Sequence, residues 1–263
     1  MKILREISTT LFLAGMSLAV PAAADGYELV WSDDFEGDKL NTKFWRIVTG
    51  NGCPENCYFG NNEKQVYTAE LMNLRIEGGK LIIEAHKNEG FTSAKITSEA
   101  MPGWTYGKIA MRAKLPSGVG TWPAFWMMPD KAKYGPWPKS GEIDIMEHVG
   151  FNQGHVHGTV HTEAYNHRIN THKGEERVVD TASKAFHTYS IEWDANNIRW
   201  FIDGKQFFTF ARQEDDGYAE WPFDHPFHVI LNLAVGGDWG GKEGIDASAF
   251  PARYEIDWVK VWQ

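Results

Sequence analysis

The sequence predicts an all-β domain of two packed antiparallel sheets. Three observations carry this. No long stretch repeats apolar residues at i, i+3, i+4 and i+7 between caps, so helices are nearly absent. Short alternating or apolar runs, broken by Gly, Pro, Asn and Asp, fill the chain instead. More than ten such runs fall within one domain-sized length, which closes as a sandwich or barrel and not as an open sheet.

The first strand is expected from Tyr27 to Trp31. Leu74–Ile76 and Leu81–Ala85 flank Gly78-Gly79 as a hairpin, and Ile198–Ile202 and Gln206–Phe210 flank Asp203-Gly204, where Asp-Gly suits a type I′ turn. Ile109, Met111, Ala113 and Leu115 alternate with Lys108, Ala110, Arg112 and Lys114, a half-buried strand. Trp122–Met128, Gly141–His148, His155–His161, Phe186–Trp193, Phe227–Val235 and Arg253–Trp262 complete the set. Tyr165–Lys184 and Gln213–Trp221 lack periodicity and read as loops.

Residues 1–24 carry Lys2 and Arg5, an apolar run from about Leu11 to Val20, and Ala22-Ala23-Ala24. This is the pattern of a secretory signal peptide, too short in its apolar part to anchor in a bilayer. The expected mature chain, residues 25–263, is a single β-sandwich domain in the extracellular space or periplasm, with monomer the default state. The formal net charge of −9 argues against nucleic acid and anionic polymers as partners and leaves neutral ones open, and with no second apolar run no membrane partner is expected. Twelve Trp exceed what a core of this size needs, and sugars stack their C–H faces on such rings, although core packing accounts for several. Cys53 and Cys57, the only two cysteines, suit a local disulfide in an exported protein.

Chemistry concentrates in Gly141-Glu-Ile-Asp-Ile-Met-Glu-His148. On a strand, Glu142 and Asp144 share one face while Ile143 and Ile145 enter a core. Glu147 is out of step and rejoins the acidic face only if one residue, most simply Met146, is absorbed in a β-bulge. The two Glu backbones then lie roughly 13 Å apart. Leaning inward past Asp144, their carboxyls approach the ~5–5.5 Å that a retaining glycosidase requires. An edge strand with a polar face is the plain alternative. His155, His157 and His161 also share a strand face, and an H-x-H with a third His is a zinc constellation to be tested.

Glu142-Ile-Asp-Ile-Met-Glu147 resembles the active-site signature of glycoside hydrolase family 16 in the bulged form of its laminarinase branch. Similar blocks follow the family's order: Gly60–Thr68, Thr92–Ile96, Trp122–Met128, Phe223–Phe227, Ile230–Gly237 and Phe250–Trp262. The resemblance implies a concanavalin-like β-jelly-roll with a concave substrate cleft. It implies an endo-β-1,3-glucanase with Glu142 as nucleophile, Glu147 as acid/base and Asp144 assisting. It further implies β-glucan contacts from Asn61, Lys95, Trp126, Trp137 and His161, with Trp126 and Trp137 as sugar platforms. Many relatives have Arg where this chain has Lys95, a point charge in place of a planar fork. Asn232, polar within an apolar strand, serves either a substrate hydroxyl, a neighbouring carboxylate or a structural network. No cofactor is needed for the chemistry. The family's structural Ca²⁺ maps to Glu36, Gly79 and Asp257. The rival readings are a mixed-linkage or other family 16 glycanase and a glucan-binding protein without catalysis.

Overall fold

The computed structural model describes residues 26–263, so the signal-peptide reading of residues 1–24 lies outside the described residues. Seventeen strands run through that range: β1 Leu29–Asp33, β2 Arg46–Val48, β3 Gln65–Tyr67, β4 Leu74–Ile76, β5 Leu81–Lys87, β6 Phe91–Ser93, β7 Lys95–Thr97, β8 Gly107–Lys114, β9 Thr121–Pro129, β10 Glu142–His148, β11 His155–His161, β12 Lys173–Val178, β13 His187–Trp193, β14 Asn197–Ile202, β15 Lys205–Ala211, β16 Phe227–Val235 and β17 Ala252–Trp262. Helical structure among them is confined to 3-10 turns at Cys57–Gly60, His167–Ile169 and Ala247–Ala249.

Two sheets result, one of ten strands ordered β15-β14-β13-β8-β17-β5-β6-β3 with β1 on β17 and β4 on β5, the other of seven ordered β12-β11-β10-β9-β16-β7-β2. All pairs are antiparallel except β3 with β6, a three-residue parallel ladder that departs from the expected pattern. Between the sheets lies one core, in which Trp45, Trp193, Trp200, Tyr189 and Tyr254 are the bulkiest fully buried side chains. Five of the twelve Trp (Trp45, Trp104, Trp193, Trp200 and Trp221) are buried there, while Trp122, Trp126, Trp137 and Trp239 are half-buried on the other side of the seven-stranded sheet.

Both expected hairpins form. Asp203 and Gly204 adopt positive φ at 49° and 73°, as a type I′ turn requires of both central residues. The first strand begins two residues later than expected, because Leu29 to Asp33 pair with the end of β17. Strand β12, placed in a stretch expected to be loop, has no buried residue and pairs only with β11 at the sheet edge. Its Lys-Gly-Glu-Glu-Arg-Val sequence has no alternation to read, which is how charged edge strands resist pairing with other chains. The short β2, β3, β6 and β7 were not anticipated either, since three residues are too few to display a period.

Strand register brings the segments of Glu36, Gly79 and Asp257 to one end of the ten-stranded sheet, where Asp33 lies opposite Val259 and Leu81 opposite Ile256. There the Asp257 carboxylate accepts a hydrogen bond from Arg112 and forms an ion pair with it. A guanidinium thus already shares the carboxylate that was to supply charge to a calcium ion. Cys53 and Cys57 are bonded, closing the small loop before Tyr58 and Phe59.

Candidate active site

The interruption that Glu147 needed is present in β10. Against β11, Asp144 faces Thr159 and Glu147 faces His157, so Ile145 and Met146 together oppose Gly158. Against β9, Asp144 faces Trp126 and Met146 faces Phe125, so the skipped residue is Ile145, not Met146. Both apolar side chains are buried in the core, which is what drives the bulge: two consecutive residues turn inward and the following one is returned to the outer face. The core also braces the bulge from below. Trp200 donates its indole N–H to the Asp144 carbonyl at 2.8 Å. Gly158 allows this, since a Cβ there would lie 2.5 Å from the Trp200 ring.

The three carboxyls share one outer face but not one environment. Asp144 is 2 % exposed, and burial, then the charges of Glu142 and Glu147, hold its pKa well above the ordinary aspartate range. It keeps its proton and is hydrogen-bonded to Glu142. Glu142 is raised by burial, with Trp137 Nε1–H at 2.5 Å and the Asp144 hydrogen bond pulling the other way. Glu147 is pushed up to about 7, by burial first and by the Glu142 charge, against a single opposing hydrogen bond from Trp122 Nε1 at 3.0 Å. Glu142 is thereby served by two donors and Glu147 by one. His161 Nε2 lies 3.4 Å from Asp144 Oδ2, and burial lowers this imidazole to about 4, leaving it neutral.

Two hollows meet over these groups, of about 520 Å³ and 1220 Å³ including their open mouths, and share Asn61, Trp122, Glu142 and Glu147 in their lining. The first also holds Lys95, Trp126 and Asn232, the second His161. Five of the six residues expected to contact substrate therefore line this cleft, and the sixth, Trp137, donates to Glu142 beside it.

Their surroundings are more specific than anticipated. Lys95 Nζ stands between the Phe59 and Trp126 rings, 5.0 and 4.9 Å from their centroids, and burial lowers its pKa against the charges of Glu63 and Glu142. Asn232 spends its amide on protein partners, accepting from Trp126 Nε1 at 2.7 Å and donating to Tyr67 Oη at 3.1 Å. It fixes the Trp126 indole while itself lining the cleft. Over Trp137 lies the Arg168 guanidinium, 4.4 Å from its centroid.

Several lining residues escaped the sequence reading. Glu63 accepts from Gln65, Tyr67 and Asn61 on the cleft floor, and it sits inside the Gly60–Thr68 block that carried the resemblance. Trp122, on the same strand as Trp126, donates to Glu147 and lines the cleft. His167, Arg168 and His172 come from a non-periodic loop stapled by the Asn166 side chain, which bonds Thr162 O, Glu163 O and Arg168 N. The H-x-H zinc idea is not realised: His155 and His157 turn to Glu176, at 2.9 and 3.6 Å, and His161 to Asp144.

Comparison with known proteins agrees with this geometry. The family model described as glycosyl hydrolases family 16 matches residues 55–260. The X-ray structure of the laminarinase from Rhodothermus marinus superposes with a TM-score of 0.85 at 48% identity, covering 90% of this chain and 97% of that one. A glucan endo-1,3-beta-glucosidase of Cryptopygus antarcticus is 38% identical over 95% of this chain and 98% of its own. A non-specific endo-beta-1,3(4)-glucanase, co-crystallised with 1,3-beta-D-cellotriosyl-glucose, matches with a TM-score of 0.86 at 39% identity over 92% of this chain and 96% of its own. Sequence, sandwich fold and the bulged acidic strand point the same way, and the chain belongs to glycoside hydrolase family 16.

Proposed function

We propose that this chain is an exported endo-β-1,3-glucanase that cleaves laminarin-like glucans with retention of anomeric configuration. The observation that carries the reading is the unequal provision for the two glutamates. Glu142 receives hydrogen bonds from Trp137 and from protonated Asp144, which favour its ionised, nucleophilic form. Glu147, desolvated and raised to about 7, retains a proton to give.

In the first step a Glu142 carboxylate oxygen attacks the anomeric carbon as the glycosidic bond breaks, and the departing oxygen takes the Glu147 proton. Charge leaves Glu142 as the glycosyl ester forms, which relieves the repulsion it exerted on Glu147. Glu147, now a carboxylate, removes a proton from water. That water attacks the same carbon, and the ester bond to Glu142 breaks. Asp144 remains neutral, donating to Glu142 and releasing the bond as the ester forms. Trp126, fixed by Asn232, and Trp137 border the reacting sugars, while Asn61, Lys95 and Glu63 offer polar partners on one side.

The test is reducing-sugar release from laminarin by residues 25–263, run beside Glu142→Ala, with lichenan and agarose as comparison substrates. Proton NMR of the first product follows the anomer. Laminarin cleavage that the substitution abolishes, with β-anomer appearing first, is the expected result. An initial α-anomer overturns retention, and an inert protein that still binds laminarin overturns the enzymatic reading in favour of a binding protein. Lichenan cleavage at a comparable rate would broaden the substrate to mixed-linkage glucan, as for the non-specific relative. Export is tested by N-terminal sequencing of the protein released by its host cells, expected to begin near Asp25.

A further inference from the structure

One ligand atom each from Glu142, Asp144 and His161 lies within 4.8 Å of the others. Within this group Asp144 Oδ2 and His161 Nε2 are 3.4 Å apart, long for a charge-assisted hydrogen bond. It is close to the separation of two donors on a tetrahedral centre with bonds of about 2.0–2.1 Å. Asp144 Oδ2 is also buried with no hydrogen-bond partner, on a residue only 2 % exposed. A buried carboxyl oxygen without a partner is costly to leave so, and a cation that displaces the Asp144 proton would satisfy it. Its neighbour His161 is 7 % exposed, neutral, and turns Nε2 toward it.

We propose that Glu142, Asp144 and His161 form a binding site for a borderline divalent transition-metal ion, with Zn²⁺ as its reference ligand, and that the bound ion excludes glucan from the cleft. An imidazole beside two carboxylates selects Zn²⁺ or Cu²⁺ over Mg²⁺ and Ca²⁺, which prefer oxygen-only shells. The three side chains supply three ligands, and the cleft mouth leaves water the fourth position. An entry path exists along the larger hollow, where His167 and His172 stand with ring centroids 5.1 and 5.9 Å from His161. The ion takes both the group assigned as nucleophile and the one assigned as its hydrogen-bond donor. The inhibitory half of the proposal therefore rests on the catalytic reading above, and the binding half does not.

The experiment is calorimetric titration of the metal-stripped protein with Zn²⁺, followed by laminarin kinetics at fixed Zn²⁺. Expected are saturable 1:1 binding, affinity at least tenfold weaker in both His161→Gln and Glu142→Gln, and unchanged affinity in His155→Asn. Circular dichroism confirms that each variant is folded. In kinetics Zn²⁺ raises the apparent KM with kcat unchanged, EDTA reverses the effect, and equal Mg²⁺ or Ca²⁺ does nothing. Absence of saturable binding up to about 1 mM overturns the site. So does undiminished binding in both substituted proteins; if His167→Ala with His172→Ala then abolishes binding, the ion sits on the surface imidazoles. A protein inert on laminarin that still binds Zn²⁺ through His161 and Glu142 would refute the glucanase reading and leave the metal site standing.

Discussion

Glu77 and Glu147 are the same residue type on two sides of one sandwich, and their neighbours drive them apart. Glu77, near the β4–β5 turn, accepts from Arg253 and Arg75, and those hydrogen bonds lower its pKa to about 2. Glu147, in the cleft, has an indole for a donor, acids for neighbours and little water, and rises to about 7. The contrast extends to the surfaces around them. Across the ten-stranded sheet, acids meet bases: Arg75 with Glu84, Lys114 with Glu255, Lys108 with Glu192 and Arg112 with Asp257. In the cleft Glu142, Asp144 and Glu147 have no Arg or Lys within ion-pair distance among the described residues, and the nearby His161 is neutral. One face is arranged for quiet solvation. The other raises all three carboxyls by burial, Glu147 to about 7, the kind of perturbation that marks reactive groups.

The sharpest way to break this comparison is to remove each carboxylate's charge without changing its shape. Glu142→Gln and Glu147→Gln should each lower kcat on laminarin by roughly a thousandfold or more, whereas Glu77→Gln should leave it within about twofold. A comparable fall at Glu77 would erase the distinction. Next in size is the pH profile. Because Glu147 must carry a proton to act as acid, kcat/KM should fall about tenfold per pH unit above its pKa of about 7. A plateau reaching pH 9 would mean that Glu147 is not the acid.

Smaller effects sharpen the same contrast. Trp122 donates to Glu147 and so favours its ionised form; Trp122→Phe should move the alkaline limb to higher pH, and a downward move would contradict the assigned hydrogen bond. Stability should follow opposite signs on the two faces. A raised pKa means that the folded state binds the Glu147 proton more tightly, so its contribution is complete below the unfolded value near 4.5 and is lost as pH rises through about 7. Glu147→Gln should therefore gain on the order of 2 kcal/mol, a few degrees in Tm, at pH 8 and nothing at pH 4. Glu77 is depressed, so its contribution is present above 4.5 and lost as pH falls toward 2. Glu77→Gln should lower Tm slightly at pH 7, with the gap closing in acid. Parallel Tm-against-pH curves for the two variants would show that the faces do not differ.

The sandwich was legible because its core strands declare themselves locally. Alternation over β8, the Asp-Gly turn between β14 and β15, and the apolar run of β16 each state a face or a reversal within a few residues. The acidic strand was legible for the same reason. Glu142 and Asp144 keep step and Glu147 breaks it, so a bulge was the one way to gather all three. Which residue yields was not legible, because Ile145 and Met146 are equally apolar and only the register of two neighbouring strands separates them. Strand β12 was invisible, since an edge strand with both faces in solvent leaves no periodic trace.

By itself, then, the sequence determined the longer core strands, the hairpins and the carboxylate trio, all properties of spacing along one chain. Tertiary structure alone decided what surrounds that trio. Trp122, Trp137, His161 and Trp200 reach β10 from other segments, and Arg112 reaches Asp257 from across the sheet. A carboxyl's pKa and partners depend on desolvation and on charges within a few ångströms. Those distances are set by which distant residues folding brings together, and no local pattern records them.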